Sequence, residues 1–177
     1  MTSHSIVIAI AAGLLATPAV VHSQTSLSIA GGVNAPVGNL GNSADLGYTV
    51  SAALNVGGTA LPVGLRFEGA YNALGLKNTS GDIRIISATA NAVFNLGKTA
   101  DAPYFIAGLG AYNRRLTLDP FRSAGDRTVV GINGGAGLRF PLSGIATFVE
   151  ARYHIMLGKS NDATNYQFIP ITFGIMF

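Results

Sequence analysis

The chain has 177 residues, enough for one domain with a core of ordinary size. Its charged residues make up only 11%, against about 25% in a typical soluble domain, and glycine reaches 23 residues. A formal net charge of +3, scattered along the chain, is too weak to mark a nucleic-acid partner, and the absence of cysteine excludes disulfides, thiolate catalysis and cysteine metal sites.

The first element is the apolar run IVIAIAAGLLA from Ile6, followed by Thr17-Pro18 and then AVVHSQ. With small residues at Val21 and Ser23, this reads as a secretory signal over residues 1–23, cut after Ser23. It lacks the usual Lys or Arg ahead of the run, where only His4 stands. The run is shorter than the roughly 20 residues that cross a bilayer, and no later stretch reaches that length. A membrane protein built from this chain must cross with strands.

From residue 24 the sequence falls into alternating segments of strand period. Leu27, Ile29, Val33 and Ala35 share one face of the first. Tyr48, Val50, Ala52, Leu54 and Val56 share one face of the second, and Val63, Leu65, Phe67 and Tyr71 one face of the third, opposite Gly64, Arg66, Glu68 and Asn72. The fourth sets Ile86, Ala88, Ala90, Ala92, Phe94 and Leu96 against Ser87, Thr89, Asn91, Val93 and Asn95. The fifth, YFIAGLGAYN from Tyr104, is apolar or glycine on both faces; its expected orientation puts Phe105, Ala107 and Leu109 outward and Gly108 and Gly110 inward. The sixth sets Val130, Ile132, Ala136, Leu138 and Phe140 against Asn133, Gly135, Gly137 and Arg139. The seventh sets Thr147, Val149, Ala151, Tyr153 and Ile155 against Phe148, Glu150, Arg152 and His154. The eighth is FIPITFGIMF, ending the chain at Phe177, with Pro170 expected near the outer rim or just before a strand that starts at Ile171.

The connections alternate in length. Gly57 to Pro62, Gly97 to Pro103 and Pro141 to Ile145 are short, whereas Val37 to Leu46, Leu74 to Asp82, Arg115 to Arg127 and Gly158 to Tyr166 are longer. Most charges fall in these connections or at strand ends. The five well inside strands, Arg66, Glu68, Arg139, Glu150 and Arg152, all point away from the apolar face by parity. A bilayer enforces this sorting, because Arg or Lys on the lipid face at the midplane costs about 2–4 kcal/mol. The fold class predicted is therefore all-β: an eight-stranded antiparallel up-and-down transmembrane barrel over residues 24–177.

The eight segments, the stretches YFIAGLGAY and FVEARYH, and the ending ITFGIMF resemble the small outer-membrane β-barrel family, of the OmpA/OmpX and opacity-like type. The resemblance implies export through the periplasm, residence among outer-membrane lipids, and a role in the envelope or at the surface through the longer loops, as a monomer. It also implies that Ile171, Phe173, Ile175 and Phe177 carry the signal read by the barrel-assembly machinery. Because the sequence stops at the last strand, no peptidoglycan-binding domain, and hence no cell-wall tethering, is expected.

The inward set Arg66, Glu68, Arg139, Glu150, Arg152 and His154 is the one charged constellation on the strands. Eight strands leave room only for side chains, so opposite charges there must pair. A four-residue hairpin turn sets Gly137 opposite Glu150 and Gly135 opposite Arg152, where glycine would make space. A salt-bridged structural plug is the leading expectation, and a narrow porin-like path for ions or small solutes the alternative. Catalysis has little support: His154 points inward, no serine lies two residues from it, and Ser160 sits in a loop. A single histidine beyond residue 24 and no cysteine give no metal site, and no cofactor is expected. The cluster GINGGAG lacks the Gly-Lys-Ser/Thr ending of a phosphate loop and lies within a strand. Asn78-Thr79-Ser80 fits a glycosylation sequon that a bacterial barrel gives no reason to use. The aromatics are expected as interfacial girdles near strand ends and as lipid-facing bulk elsewhere. A soluble lipocalin-like binder would need the opposite arrangement, with the large apolar face turned inward.

Overall fold

Each strand carries bulky apolar residues on one face and small or polar ones on the other, so a sheet of eight can satisfy every backbone group in a bilayer only by closing on itself. The computed structural model, which describes residues 25–57, 62–77, 81–97, 101–119, 122–143, 145–158 and 165–177, has this form. β1 (Thr25–Val37) leads through a single helical turn, α1 (Gly38–Gly41), to β2 (Ala44–Val56). There follow β3 (Val63–Leu76), β4 (Asp82–Asn95), β5 (Pro103–Asp119), β6 (Arg122–Leu142), β7 (Ile145–Met156) and β8 (Tyr166–Met176). All neighbours are antiparallel in sequence order, and β8 closes on β1. The closure is tied at its end by paired backbone bonds, Leu27 N to Phe177 O at 3.1 Å and Phe177 N to Leu27 O at 2.8 Å.

The face assignments hold along the strands. Leu27, Phe105, Leu109, Val130, Leu138 and Phe173 are exposed on the outside, while Ser28, Asn72, Thr89, Asn91, Asn133 and Thr172 are buried inside. Strand five is oriented as expected, with Phe105 and Leu109 outward. This is the reverse of a soluble binding barrel. The hairpin from β6 to β7 turns between Leu142 and Ile145, with Ser143 at φ 51°, a positive value of the kind that tight hairpin turns require.

Four expectations are corrected. The stretch 115–127 is largely strand: β5 and β6 continue pairing through Arg115↔Asp126, Thr117↔Ser123 and Asp119↔Arg122, with irregularities on both sides of Thr117. Above the membrane both faces meet water, so the apolar alternation that marks a strand is lost. The stretch 37–46 holds α1 and the start of β2, and Leu40 is fully buried in the mouth of the barrel. Pro170 lies well inside β8 with its ring inward; β8 begins at Tyr166 and pairs without a break to β1. On the β7 side the register skips from Ala151↔Ile171 to His154↔Phe168, where the missing proline N–H interrupts the ladder. Finally, Tyr104, Tyr112 and Phe168 belong to the interior rather than to a girdle or the lipid face. The segment 1–23 expected to be a signal, the sequon at 78–80 and Ser160 lie outside the described residues.

Candidate functional site in the barrel lumen

The lumen is filled in tiers, set by how far along each strand an inward residue stands. Strands β3 and β7 both run from the short-turn rim toward the longer connections, so Arg66 and Glu150 lie low, Glu68 and Arg152 above them, and Asn72 and His154 higher still. Because β3 and β7 have three strands between them in either direction, a contact from one to the other spans the diameter.

Two ion pairs do so. Arg66 Nη1 donates to Glu150 Oε2 at 2.7 Å, and Arg152 Nη2 donates to Glu68 Oε1. Arg152 Nε also donates to Glu150 Oε1 at 2.8 Å, joining the two bridges into one chain. Glu150 is its hub, accepting in addition the Tyr104 hydroxyl at 2.6 Å. Arg66 Nε donates to Asn55 Oδ1 at 2.7 Å, and Asn55 Nδ2 in turn donates to Ser28 Oγ at 3.1 Å. The chain therefore runs from β1 through β2 and β3 to β7, with two guanidiniums matched by two carboxylates. All four charged residues are buried. Such burial is tolerated only when each charge is paired and its remaining polar atoms are largely bonded.

Glycine makes the room. Gly137 lies opposite Tyr104 on β5 and opposite Glu150 on β7. A Cβ there would collide with the Tyr104 ring. Gly135 lies opposite Arg152, and a Cβ on it would run into the Arg152 stem and the Ala151 carbonyl.

The other two predicted residues stand apart. Arg139, toward the short-turn rim, donates from Nη1 to Asn95 Oδ1 at 2.6 Å and meets the network only through the Tyr104 ring, with its guanidinium 4.3 Å from the centroid. Among the described residues His154 has no carboxylate partner; its Nδ1 is 2.9 Å from the Tyr112 hydroxyl, and its ring stacks on Phe168 at 4.8 Å between centroids, 13° from parallel. It belongs to an apolar tier of Leu40, Ala44, Leu74, Ile83, Ile85, Tyr112, Met156 and Phe168 that closes the barrel below the longer connections. A smaller apolar group, Val93, Tyr104 and Ile106, lies toward the other rim.

Sequence reasoning missed Tyr104 and Asn55 as network members, and Tyr112 as the partner of His154. For Tyr104 a signal existed: parity places it inward, directly across from the inner-face Gly137. Among the described residues no group of His, Asp and Glu is arranged to hold a metal ion. Of the residues expected to carry an assembly signal, Ile171, Phe173 and Phe177 are exposed on the outer wall and Ile175 is half-buried on the same face, along the strand that closes the barrel.

A family model described as the outer membrane protein beta-barrel domain matches residues 7–177, nearly the whole chain. The chain belongs to this family. Its members include proteins of outer membranes, and solved barrels share the fold of this one at low identity. Neisserial surface protein A (NspA) superposes with a TM-score of 0.66 at 18% identity, covering 86% of this chain and 95% of its own. The N-terminal barrel domain of Pseudomonas aeruginosa OprF gives 0.52 at 16% identity, covering 88% and 99%. Ail, the attachment invasion locus protein of Yersinia pestis, gives 0.51 at 18%, covering 86% and 99%, in a complex with the heparin analogue sucrose octasulfate. No curated protein matches the chain in sequence. As an outer membrane protein beta-barrel domain, the chain faces lipid with the apolar wall described above and encloses the charged chain within it.

Proposed function

We propose that this outer-membrane barrel is monomeric and non-conducting, that its lumen is a structural plug, and that it works at the cell surface through its longer connections. The observation that carries this reading is the pair of ion bridges, Arg66–Glu150 and Arg152–Glu68, laid across the diameter between β3 and β7. An ion path needs water along the axis, and here the axis is held by paired side chains with an apolar tier above them. Planar-bilayer recordings of the purified barrel are expected to stay at leak. Stepwise openings would overturn the plug and favour the narrow porin-like channel.

Surface work then falls to the longer rim, at 37–46, 74–82, 115–127 and 158–166. The basic residues Lys77, Arg84, Arg114, Arg115 and Arg127 stand there. The Ail complex with a sulfated sugar makes polyanionic glycans the first surface ligands to test. No catalysis enters this reading, since His154 is engaged by Tyr112 and Phe168 within the lumen, out of reach of lipid. For biogenesis, Ile171, Phe173, Ile175 and Phe177 act as the address read by the barrel-assembly machinery, after export directed by residues 1–23. Truncating Phe177 is expected to lower the heat-modifiable fraction in outer membranes, and N-terminal sequencing of the mature protein is expected to begin at Gln24.

A further inference from the structure

Outside the lumen, the strand register assembles a polar row on the outer wall. Tyr48 on β2, Ala73 on β3, Arg84 on β4, Arg115 on β5 and Asp126 on β6 are successive cross-strand partners. Two like charges directly opposite each other, Arg84 and Arg115, are unfavourable unless something anionic joins them. Asp82 takes the Nε edge of Arg84 at 2.5 Å, and Asp126 takes Nε and Nη2 of Arg115, both at 2.7 Å. These contacts leave both terminal nitrogens of Arg84 and Nη1 of Arg115 with donors to offer, on side chains about half exposed. Tyr71 stands one residue pair further down, its ring 6.2 Å from that of Tyr48, and both phenols lie within electrostatic reach of Arg84.

Below an intervening outward row of Val50, Tyr71, Ile86 and Asn113, the wall turns smooth. Ala52, Gly69, Ala88 and Ala111 are successive partners across β2 to β5. A Cβ on Gly69 would meet nothing within 4 Å. Bulkier residues follow beneath them: Leu54, Phe67 and Leu109 flank Ala90. The furrow lies four residues from the Arg84 row, about 13 Å along a strand. Guanidinium donors beside tyrosines at headgroup depth, above a shallow apolar furrow, match one kind of molecule.

We infer that the wall formed by β2 to β5 binds a phosphorylated outer-leaflet glycolipid, its phosphate held between Arg84 and Arg115 and its acyl chains lying in the furrow of Ala52, Gly69, Ala88 and Ala111. Guanidinium forks are suited to phosphate oxygens, and the tyrosine rings to the sugar face. This site is independent of the lumen; it shares Arg84 and Arg115 with the basic rim proposed above for glycans, from which the acyl furrow distinguishes it.

The test uses the full-length barrel in phosphatidylcholine nanodiscs doped with bisphosphorylated lipid A, with lipids retained per barrel counted by native mass spectrometry. The wild type is expected to retain one lipid A preferentially, and its dephosphorylated form about tenfold less, as loss of a charge-assisted hydrogen bond predicts. Arg84→Gln combined with Arg115→Gln should give a similar loss, while gel mobility of unboiled samples stays unchanged because both side chains are exposed. Gly69→Phe, which fills the furrow without touching the arginines, should also lower retention. Asp82→Asn should raise it. Equal retention by wild type and the double arginine variant, or equal retention of both lipid forms, overturns the site. Displacement of the lipid by soluble glucosamine 1-phosphate at matching concentration overturns the lipid assignment, since it would show that the headgroup alone is recognised.

Discussion

Two ion pairs in this barrel have the same length and opposite meaning. Arg66–Glu150 in the lumen and Arg115–Asp126 on the β5–β6 hairpin both close to 2.7 Å. The first has about 1% of its side-chain surface exposed, the second about half. Losing one partner on the hairpin leaves a charge in water. Losing one in the lumen leaves a charge with no solvent to turn to, so burial rather than distance sets what each pair does for stability. The lumen pairs Arg66–Glu150 and Arg152–Glu68 join strands that are not neighbours, whereas Arg115 and Asp126 sit on strands already zipped together by backbone bonds.

The largest expected effect is therefore at the hub. Glu150→Ala leaves Arg66 without its carboxylate, takes the Nε partner from Arg152, which keeps Glu68, and removes the acceptor of the Tyr104 hydroxyl; it should destabilise the barrel by about 3–5 kcal/mol. Urea unfolding in detergent micelles, followed by the shift between boiled and unboiled gel mobility, reads this out. An unchanged midpoint and unchanged conductance would break the plug reading. Converting Arg66 and Glu150 together to Met and Leu should recover most of that loss, since a well-packed apolar pair avoids the desolvation of both charges. A double variant as unstable as Glu150→Ala would show that the ionic chain, and not its volume, is needed.

Next comes the space the glycines provide. Gly137→Val is expected to push Tyr104 off Glu150 and cost about 1–3 kcal/mol, the range for overpacked interiors. His154→Phe should cost only about 1 kcal/mol, because the stack on Phe168 survives and a single hydrogen bond to Tyr112 is lost. At the small end, Asp126→Asn should leave global unfolding unchanged and only speed protease nicking of the hairpin. The Arg115 guanidinium holds the Asp126 carboxyl below the usual carboxylate range by hydrogen bonding and charge. That pair is thus intact at neutral pH and through the ordinary carboxylate range, and is lost only as pH falls through the lowered folded value. Protease sensitivity of the hairpin tip that rose already near pH 6 would contradict it.

Within the bilayer-facing part of the chain, the fold was readable because lipid outside and polar groups inside impose a period of two. Parity alone placed Arg66, Glu68, Glu150 and Arg152 on one surface, and the turn at Leu142 to Ile145 was enough to put Gly137 against Glu150. Parity could not say which charges meet across the diameter, because that depends on how strands are staggered around the closed sheet. It also missed the hairpin above the membrane, where water on both sides removes the pattern, and the burial of Leu40, which rests on one helical turn folding back into the mouth. Pro170 misled for a related reason. A proline in a strand costs one bond on one side only, and β8 places that side against a gap in its pairing with β7.

The tiered filling has an electrical corollary. Barriers stacked along one axis behave as resistors in series, so the total is governed by whichever remains highest. Clearing the ionic tier alone leaves the aromatic and aliphatic tier around Tyr112, Phe168 and Leu40 in place, and clearing that one leaves the ionic chain. On the plug reading, a sensor pore engineered from this scaffold would have to thin both tiers in the same molecule before the first picoampere passed.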